Sequence, residues 1–321
     1  MKTLGILYLI VLMAAGCQNT QPSLVMESKS SAPVLETSLI ILGTVQDAGS
    51  PHIACKKECC SALFENPDSL RRVVSLGLID PENDKTFLFE ATPDITSQLK
   101  ILKQFSNSEE ELPDGIFLTH AHIGHYTGLI YLGKEATNAV KIPVYAMPRM
   151  KTFLEENGPW SQLVTTANIV LQPLENKKEV ALTSNLHVIP FTVPHRDEFS
   201  ETVGYTILGP HKSALFIPDI DKWQKWEVSI IAAIEQVDYA FLDATFYNGA
   251  EINTRDISQI PHPFIIESME LFKDLPLSEK QKIHFIHFNH TNPALNSESD
   301  AYKTIIKSGF NIAKTNDLIQ L

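Results

Sequence analysis

The sequence predicts one α/β domain, in which two mixed, mostly antiparallel sheets pack face to face with helices outside. Three observations predict it. Short apolar runs rich in Val, Ile, Leu and Phe, bounded by Gly, Pro, Asn or Asp, recur from residue 38 onward. Segments with apolar residues at helical spacing are interspersed among them. No linker-like stretch divides these elements after residue 36, so strands and helices must cover one another in layers.

The elements follow in order. "SLIILGTV" (38–45) reads as a strand that ends in the Gly/Pro-marked loop "QDAGSP". "VVSLGLI" (73–79) and "TFLFEAT" (86–92) are strands separated by the turn-forming "DPENDK". Thr92-Pro93-Asp94 offers a helix start for "ITSQLKILKQF", and "GIFLTH" (115–120) is a short buried strand running into "HYTGLIYLGKEA", which has helical periodicity. "KIPVYAM", "NIVLQPL", "KEVALT", "LHVIPFTV", "TVGYTILG" and "SALFIPD" are successive strands. A helix is expected over 222–237, a strand over 238–246, a helix over 264–275, a strand over 282–291 and a last helix at "DAYKTIIKSG".

Residues before the domain carry a different signal. Lys2, an apolar run from Leu4 to Met13 and the small residues that end at Cys17 read as a cleaved secretory signal, the run being too short to span a bilayer. The "AAGC" ending resembles a bacterial lipoprotein processing site, with residues 1–16 removed and lipid on Cys17. An ordinary signal peptide with an incidental cysteine is the alternative. Residues 17–36, rich in Ser, Gln, Pro and Lys, read as a flexible tether. The expected location is therefore outside the cytoplasm, with membrane contact through the lipid alone. A net charge of −12 without any basic run argues against a nucleic-acid partner. A small-molecule substrate is expected instead. Oligomeric state is not legible.

The chemistry concentrates in histidines. His120 and His122 stand two apart at a strand end, so their side chains point the same way and can share an ion. His125 opens the next helix and can turn toward the same space. Neutral imidazoles suit zinc, iron, copper or nickel, so ligand type does not choose among them. Past Cys17 three cysteines remain, Cys55, Cys59 and Cys60. They could share a metal ion, or Cys55 could pair with one neighbour and leave a spare thiol.

"HAHIGH" resembles the HxHxDH signature of the metallo-β-lactamase superfamily, and later elements extend the resemblance from about residue 37 to the end. "TVPHRD" supplies His195, matching the third metal histidine. "LFIPDID" supplies Asp219, matching the acid that commonly bridges two metals, and "HFIHFNH" supplies His287, matching the last metal histidine. On their own, His195 could be a loop histidine and Asp219 a turn residue. The resemblance implies the αββα sandwich of that superfamily. Within it, "LGTVQDAGSPHIACKKECC" and "FIHFNHTNP" look like the pyrroloquinoline-quinone biosynthesis protein B group. That likeness implies a structural zinc on Cys55, Cys59 and Cys60, and His52 is the candidate for a fourth ligand.

Gly124 stands where the signature has an acid, and it can neither bind a second metal nor hold water. Asp47, Asp243 and His262 are the candidates to supply what it lacks, Asp47 first. His290 and His262 are the candidate proton donors. The expected activity is hydrolysis by a metal-bound hydroxide, on an ester, lactone, amide or phosphodiester, with one or two zinc ions. Iron or manganese would suit the same residues. The alternatives are oxidation at a non-haem iron and a catalytically inactive metal-dependent binding protein.

Overall fold

A computed structural model describes residues 32–252 and 260–321. The expected signal, Cys17 and most of the tether lie outside the described residues. Chain from Ala32 to Leu321 forms one compact unit. Val34 already belongs to it, donating its backbone N–H to Phe105 O and packing on buried apolar residues.

Two seven-stranded sheets form the centre. The first holds β1 (Ser38–Gly43), β2 (Ser75–Asp80), β3 (Lys85–Phe89), β4 (Gly115–Phe117), β5 (Ile142–Ala146) and β6 (Ile169–Pro173). The second holds β7 (Val180–Ala181), β8 (His187–Thr192), β9 (Val203–Leu208), β10 (Ser213–Ile217), β11 (Tyr239–Asp243), β12 (Ile283–Ile286) and β13 (Asn311–Ile312). The last strand, β14 (Leu318–Gln320), returns to pair with β1 at the edge of the first sheet.

The mostly antiparallel expectation needs correction, because each sheet is evenly divided. In the first, β14, β1, β2 and β3 pair antiparallel while β3 to β6 pair parallel. In the second, β7 to β10 pair antiparallel and β10 to β13 parallel. Parallel neighbours require crossover connections, and helices supply them. α1 (Glu58–Glu65) precedes β2. α2 (Ile95–Phe105) links β3 to β4, and α3 (Ile123–Tyr126) begins the path to β5. α4 (Pro148–Glu156) and α5 (Trp160–Thr165) link β5 to β6. α6 (Ile230–Glu235) links β10 to β11, α7 (Ile265–Leu271) and α8 (Leu277–Lys280) lie between β11 and β12, and α9 (Asp300–Lys307) links β12 to β13.

Side-chain alternation along the strands sorts the core into three layers. Leu39, Ile41, Leu76, Phe87, Phe89, Phe117, Tyr205 and Phe216 meet between the sheets. Ile40, Leu42, Leu88 and Ile116 face outward under Ile95, Leu102, Met150 and Leu154 of the first helical layer. Leu215, Ile217, Leu242 and Phe285 face the other way under Ile234, Ile265, Phe272 and Ile305. The result is the αββα order.

Two expected helices are broken. In 222–237 the chain is extended at Trp226, whose indole N–H donates to Thr192 O, and Ser229 starts α6 afresh by accepting from Ala232 N. Beyond His125, α3 ends at Tyr126 and the chain continues as a 3-10 helix over Thr127–Leu132.

Candidate metal centre

Six of the strands that end at one rim of the sandwich carry the site. β1 and β4 run the same way in the first sheet, and β8, β10, β11 and β12 run the same way in the second. Residues just past their carboxyl ends therefore converge, as ligand sites do in sheets of this kind. Asp47 follows β1, His120 and His122 follow β4, His195 follows β8, Asp219 follows β10, Asp243 closes β11 and His287 follows β12. His287 holds φ +68°, a conformation that a residue without special reason avoids.

Three overlapping clusters result, each with one ligand atom per residue and all such atoms within 4.8 Å of one another. His120, His122, His195 and Asp219 form the first, and Asp47, His125, Asp219 and His287 the second. Asp219, Asp243, His262 and His287 form the third. Asp219 belongs to all three. Its Oδ2 lies 3.4 Å from His120 Nε2 and 3.9 Å from both His125 Nε2 and His287 Nε2, while its Oδ1 lies 3.2 Å from His195 Nε2.

Asp47 occupies the room that Gly124 leaves. A side chain at Gly124 would put its Cβ 2.3 Å from Asp47 Cα and 2.9 Å from Asp47 Cγ. From that position Asp47 Oδ1 reaches His125 Nε2 at 3.0 Å and His287 Nε2 at 3.1 Å. Burial alone would push the Asp47 carboxyl up, but the charge and hydrogen bonds of His125 and His287 outweigh it and hold it well below the usual range. Asp219 behaves alike: burial pushes up, and His195, His262, His287 and the His120 hydrogen bond win. The His120 imidazole is also lowered, by burial and by neighbouring His125.

Partners behind the imidazoles set their tautomers. Thr119 Oγ1 donates to Glu90 Oε1 at 2.5 Å, so it accepts from His120 Nδ1–H at 2.9 Å and leaves Nε2 bare. Thr245 Oγ1 donates to Asp243 Oδ1 at 2.7 Å and in the same way accepts from His287 Nδ1–H at 2.8 Å. His125 Nδ1 faces Glu90 Oε1 at 3.1 Å. His122 turns Nδ1 inward, 2.8 Å from His120 Nε2, and its Nε2 toward Glu198 at 3.2 Å. Sequence reasoning missed Glu90, Thr119, Thr245 and Glu198. Glu90 had a signal, a lone acid at the end of the apolar "FLFEAT"; it is fully buried at φ +76°.

Asp243 and His262 lie one step outside the second cluster. His262 Nδ1 is 2.9 Å from Asp243 Oδ2 and 3.2 Å from Asp219 Oδ1. Burial opposes its charge, yet the two carboxylates raise the imidazole to about 10. Asp243 is also spent on Ile220 N and Thr245 N, which turns it toward the protein interior.

The cysteines gather at a separate cluster, and its fourth member is His290. His52, expected there, instead packs its ring at a tilt against His290, with ring centroids 4.4 Å apart, and donates its backbone N–H to Cys60 Sγ. The structure therefore places His290 away from the histidine centre, where it was expected as a proton donor. His284 sits against Phe241 and Tyr239, away from both clusters.

Known proteins share this fold. A family model described as a beta-lactamase superfamily domain matches residues 85–288. Coenzyme PQQ synthesis protein B of Methylococcus capsulatus is 24% identical over 302 residues, covering 85% of this chain and 96% of that protein. The crystal structure of zinc-bound PqqB from Methylobacterium extorquens superposes with a TM-score of 0.73 at 21% identity, covering 88% of this chain and all of that one. A diphosphatase of the PhnP family superposes with a TM-score of 0.63 at 20% identity, over 89% of this chain and 98% of its own.

Proposed function

The chain belongs to the beta-lactamase superfamily, and on that premise we propose that it is a two-metal hydrolase. The observation that carries the reading is Asp47, which fills the space before Gly124 and faces both His125 and His287. Gly124 is thereby part of a complete second cluster.

The residues fit metal ions. His120 and His287 turn their Nε2 atoms inward, and His195 has no hydrogen-bond partner on either buried ring nitrogen. Asp219 Oδ1 is also without a hydrogen bond, although His195 Nε2 lies 3.2 Å away. Unpaired buried polar atoms in such number are costly unless something else satisfies them. His120, His122, His195 and Asp219 would hold one ion, and Asp47, His125, His287 and Asp219 the other. Such ions supply Lewis acidity toward a carbonyl or phosphoryl oxygen and acidify water. Imidazole with carboxylate suits zinc, and equally iron or manganese.

The chain's own residues do the rest. Thr119, Glu90 and Thr245 hold the imidazoles in the required tautomers. Asp243 holds His262 by its Nδ1, leaving the other ring nitrogen to place a proton on the leaving oxygen or nitrogen of an ester, lactone, amide or phosphodiester. A second reading, oxidation at iron on the same histidines, draws support from the likeness to Coenzyme PQQ synthesis protein B over most of the chain. Metal analysis with a substrate panel separates them. The hydrolase reading expects two ions at the histidine centre and turnover of at least one ester, lactone, amide or phosphodiester, with one ion lost in Asp47→Ala. Stoichiometric iron with dioxygen uptake and no hydrolysis would overturn it.

A further inference from the structure

The histidine centre meets solvent along one edge. His120, His125, His195, His287 and Asp219 have side chains at most 3% exposed, whereas those of Asp47, His122 and His262 are 11–13% exposed. A substrate reaches the centre past these three. His262, the proposed proton donor to the leaving group, packs against His195 and His287, with ring centroids 5.4 and 6.2 Å away. His122 belongs to the first cluster and His262 to the third. A leaving group received by His262 therefore leaves the side of His122 to the acyl part.

The rim beside His122 is apolar. Ile123, next in the chain, is 59% exposed, and Phe199, next to the Glu198 that faces His122, is 60% exposed. Neither is loosely held. Ile123 opens α3, its carbonyl accepting from Thr127 Oγ1. The loop of Phe199 is tied on both flanks. Ala121 N donates to Ser200 Oγ, Thr202 Oγ1 to the Asp197 carboxylate, and the Arg149 guanidinium to Asp197 O. Glu201 accepts from Arg149 N. Phe199 also rests on Phe153, ring centroids 5.6 Å apart, and Phe153 continues the aromatic surface to Tyr126. Apolar side chains fixed in this way lose little further freedom when a ligand covers them. Charge just past His195 and Asp219 is already paired. Arg196 faces Glu198 at 3.8 Å, Lys222 faces Glu267 at 2.6 Å and Lys225 faces Asp221 at 2.7 Å.

We propose that Ile123 and Phe199 are specificity-determining residues: they form an apolar platform beside His122 that takes the acyl chain of a neutral aliphatic ester or lactone. This inference rests on the hydrolase reading of the histidine centre and narrows its substrate class. Hydrolysis adds water across the acyl C–O bond: the acyl carbon gains the hydroxyl and becomes a carboxylic acid, and the leaving oxygen takes the proton. The chain beyond the acyl carbon stays on the platform throughout. A methylene laid on a one-sided surface gains about half of what full burial gives, about twofold in affinity.

Calorimetric titration of zinc-loaded protein with straight-chain hydroxamates, acetyl to octanoyl, reads the platform apart from turnover, because the head group binds metal and carries the acyl chain. Affinity should rise about twofold per methylene, and kcat/KM for the matching esters should rise in parallel. Phe199→Ser and Ile123→Ser change exposed side chains and should each flatten both slopes, the double variant most, with denaturant midpoints near that of the wild type. Equal affinity along the wild-type series, no binding at any length, or a wild-type slope kept in the double variant overturns the platform, while ester turnover in the same protein keeps the hydrolase reading. A slope with no ester or lactone turned over overturns the hydrolase reading and the substrate assignment with it.

Discussion

Restoring the signature acid, Gly124→Asp, should damage the site that it nominally repairs. The new Cβ would lie 2.3 Å from Asp47 Cα and 2.8 Å from Asp47 Cβ, far inside van der Waals contact and against backbone on one side. Overpacking of this kind costs about 1–3 kcal/mol. A second carboxylate would also compete with Asp47 for His125 and His287. Asp47→Gly alone removes the acid that those two imidazoles face. The double variant relieves the contacts with Asp47 Cβ and Cγ and restores one acid, while the 2.3 Å contact with the Cα of residue 47 still forces the loop to shift. A double-mutant cycle should therefore show coupling of about 1 kcal/mol in stability, with the double variant binding the second ion better than either single one. Denaturant midpoints and Co²⁺ titration read the two quantities. Wild-type stability and two-ion binding in Gly124→Asp, or additivity within about 0.5 kcal/mol across the cycle, would refute the claim that Asp47 and position 124 share one space.

Two further predictions concern histidines with different surroundings. His262→Gln should keep both histidine-centre ions and lower kcat by about 10²–10⁴ with little change in KM, since it removes a proton donor and no proposed ligand. The loss should shrink for substrates with good leaving groups, and loss of an ion would assign His262 a ligand role instead. His284 tests the fold: burial holds its imidazole down to about 4, against about 6.5 in an unfolded chain. Below pH 6.5 the unfolded chain takes up the proton and the folded one does not. The stability that neutral His284 allows is thus lost progressively as pH falls from about 6.5 to about 4, by at most about 3 kcal/mol. His284→Leu should flatten that part of the stability profile, and an unchanged profile would contradict the burial argument.

Strands were legible where apolar runs were long and bounded. "SLIILG", "HVIPFT", "VGYTIL" and "SALFI" all form strands close to their sequence limits. The short edge strands β13 and β14 were not, because two or three residues carry no period and owe their state to a neighbour across the sheet. The helix over 222–237 failed for a local reason. Its apolar spacing runs through Trp226 and Ser229, but a cap and an indole hydrogen bond that spacing cannot reveal break the element in two. Strand direction was invisible too, since whether neighbours run parallel depends on which connection crosses over.

Within the site, visibility followed chain locality. His120, His122 and His125 sit within six positions, so one strand end and one helix start bring them together with no knowledge of the fold. Asp47 is 78 residues away from His125, and no periodicity could decide between it, Asp243 and His262. Topology decides: β1 runs parallel to β4, so the loop after β1 opens on the same rim and delivers a carboxylate from the opposite side of α3. An acid that reaches the imidazoles from that side needs a neighbour without a Cβ, and only glycine at 124 provides one. Gly124 and Asp47 are therefore two halves of one steric solution, in which the acid moves to a loop and the helix gives up a side chain to receive it. That acid needs no helix under it, because Val45, two residues before it, is buried and paired on one side with Val73 and on the other with Phe288, next to His287.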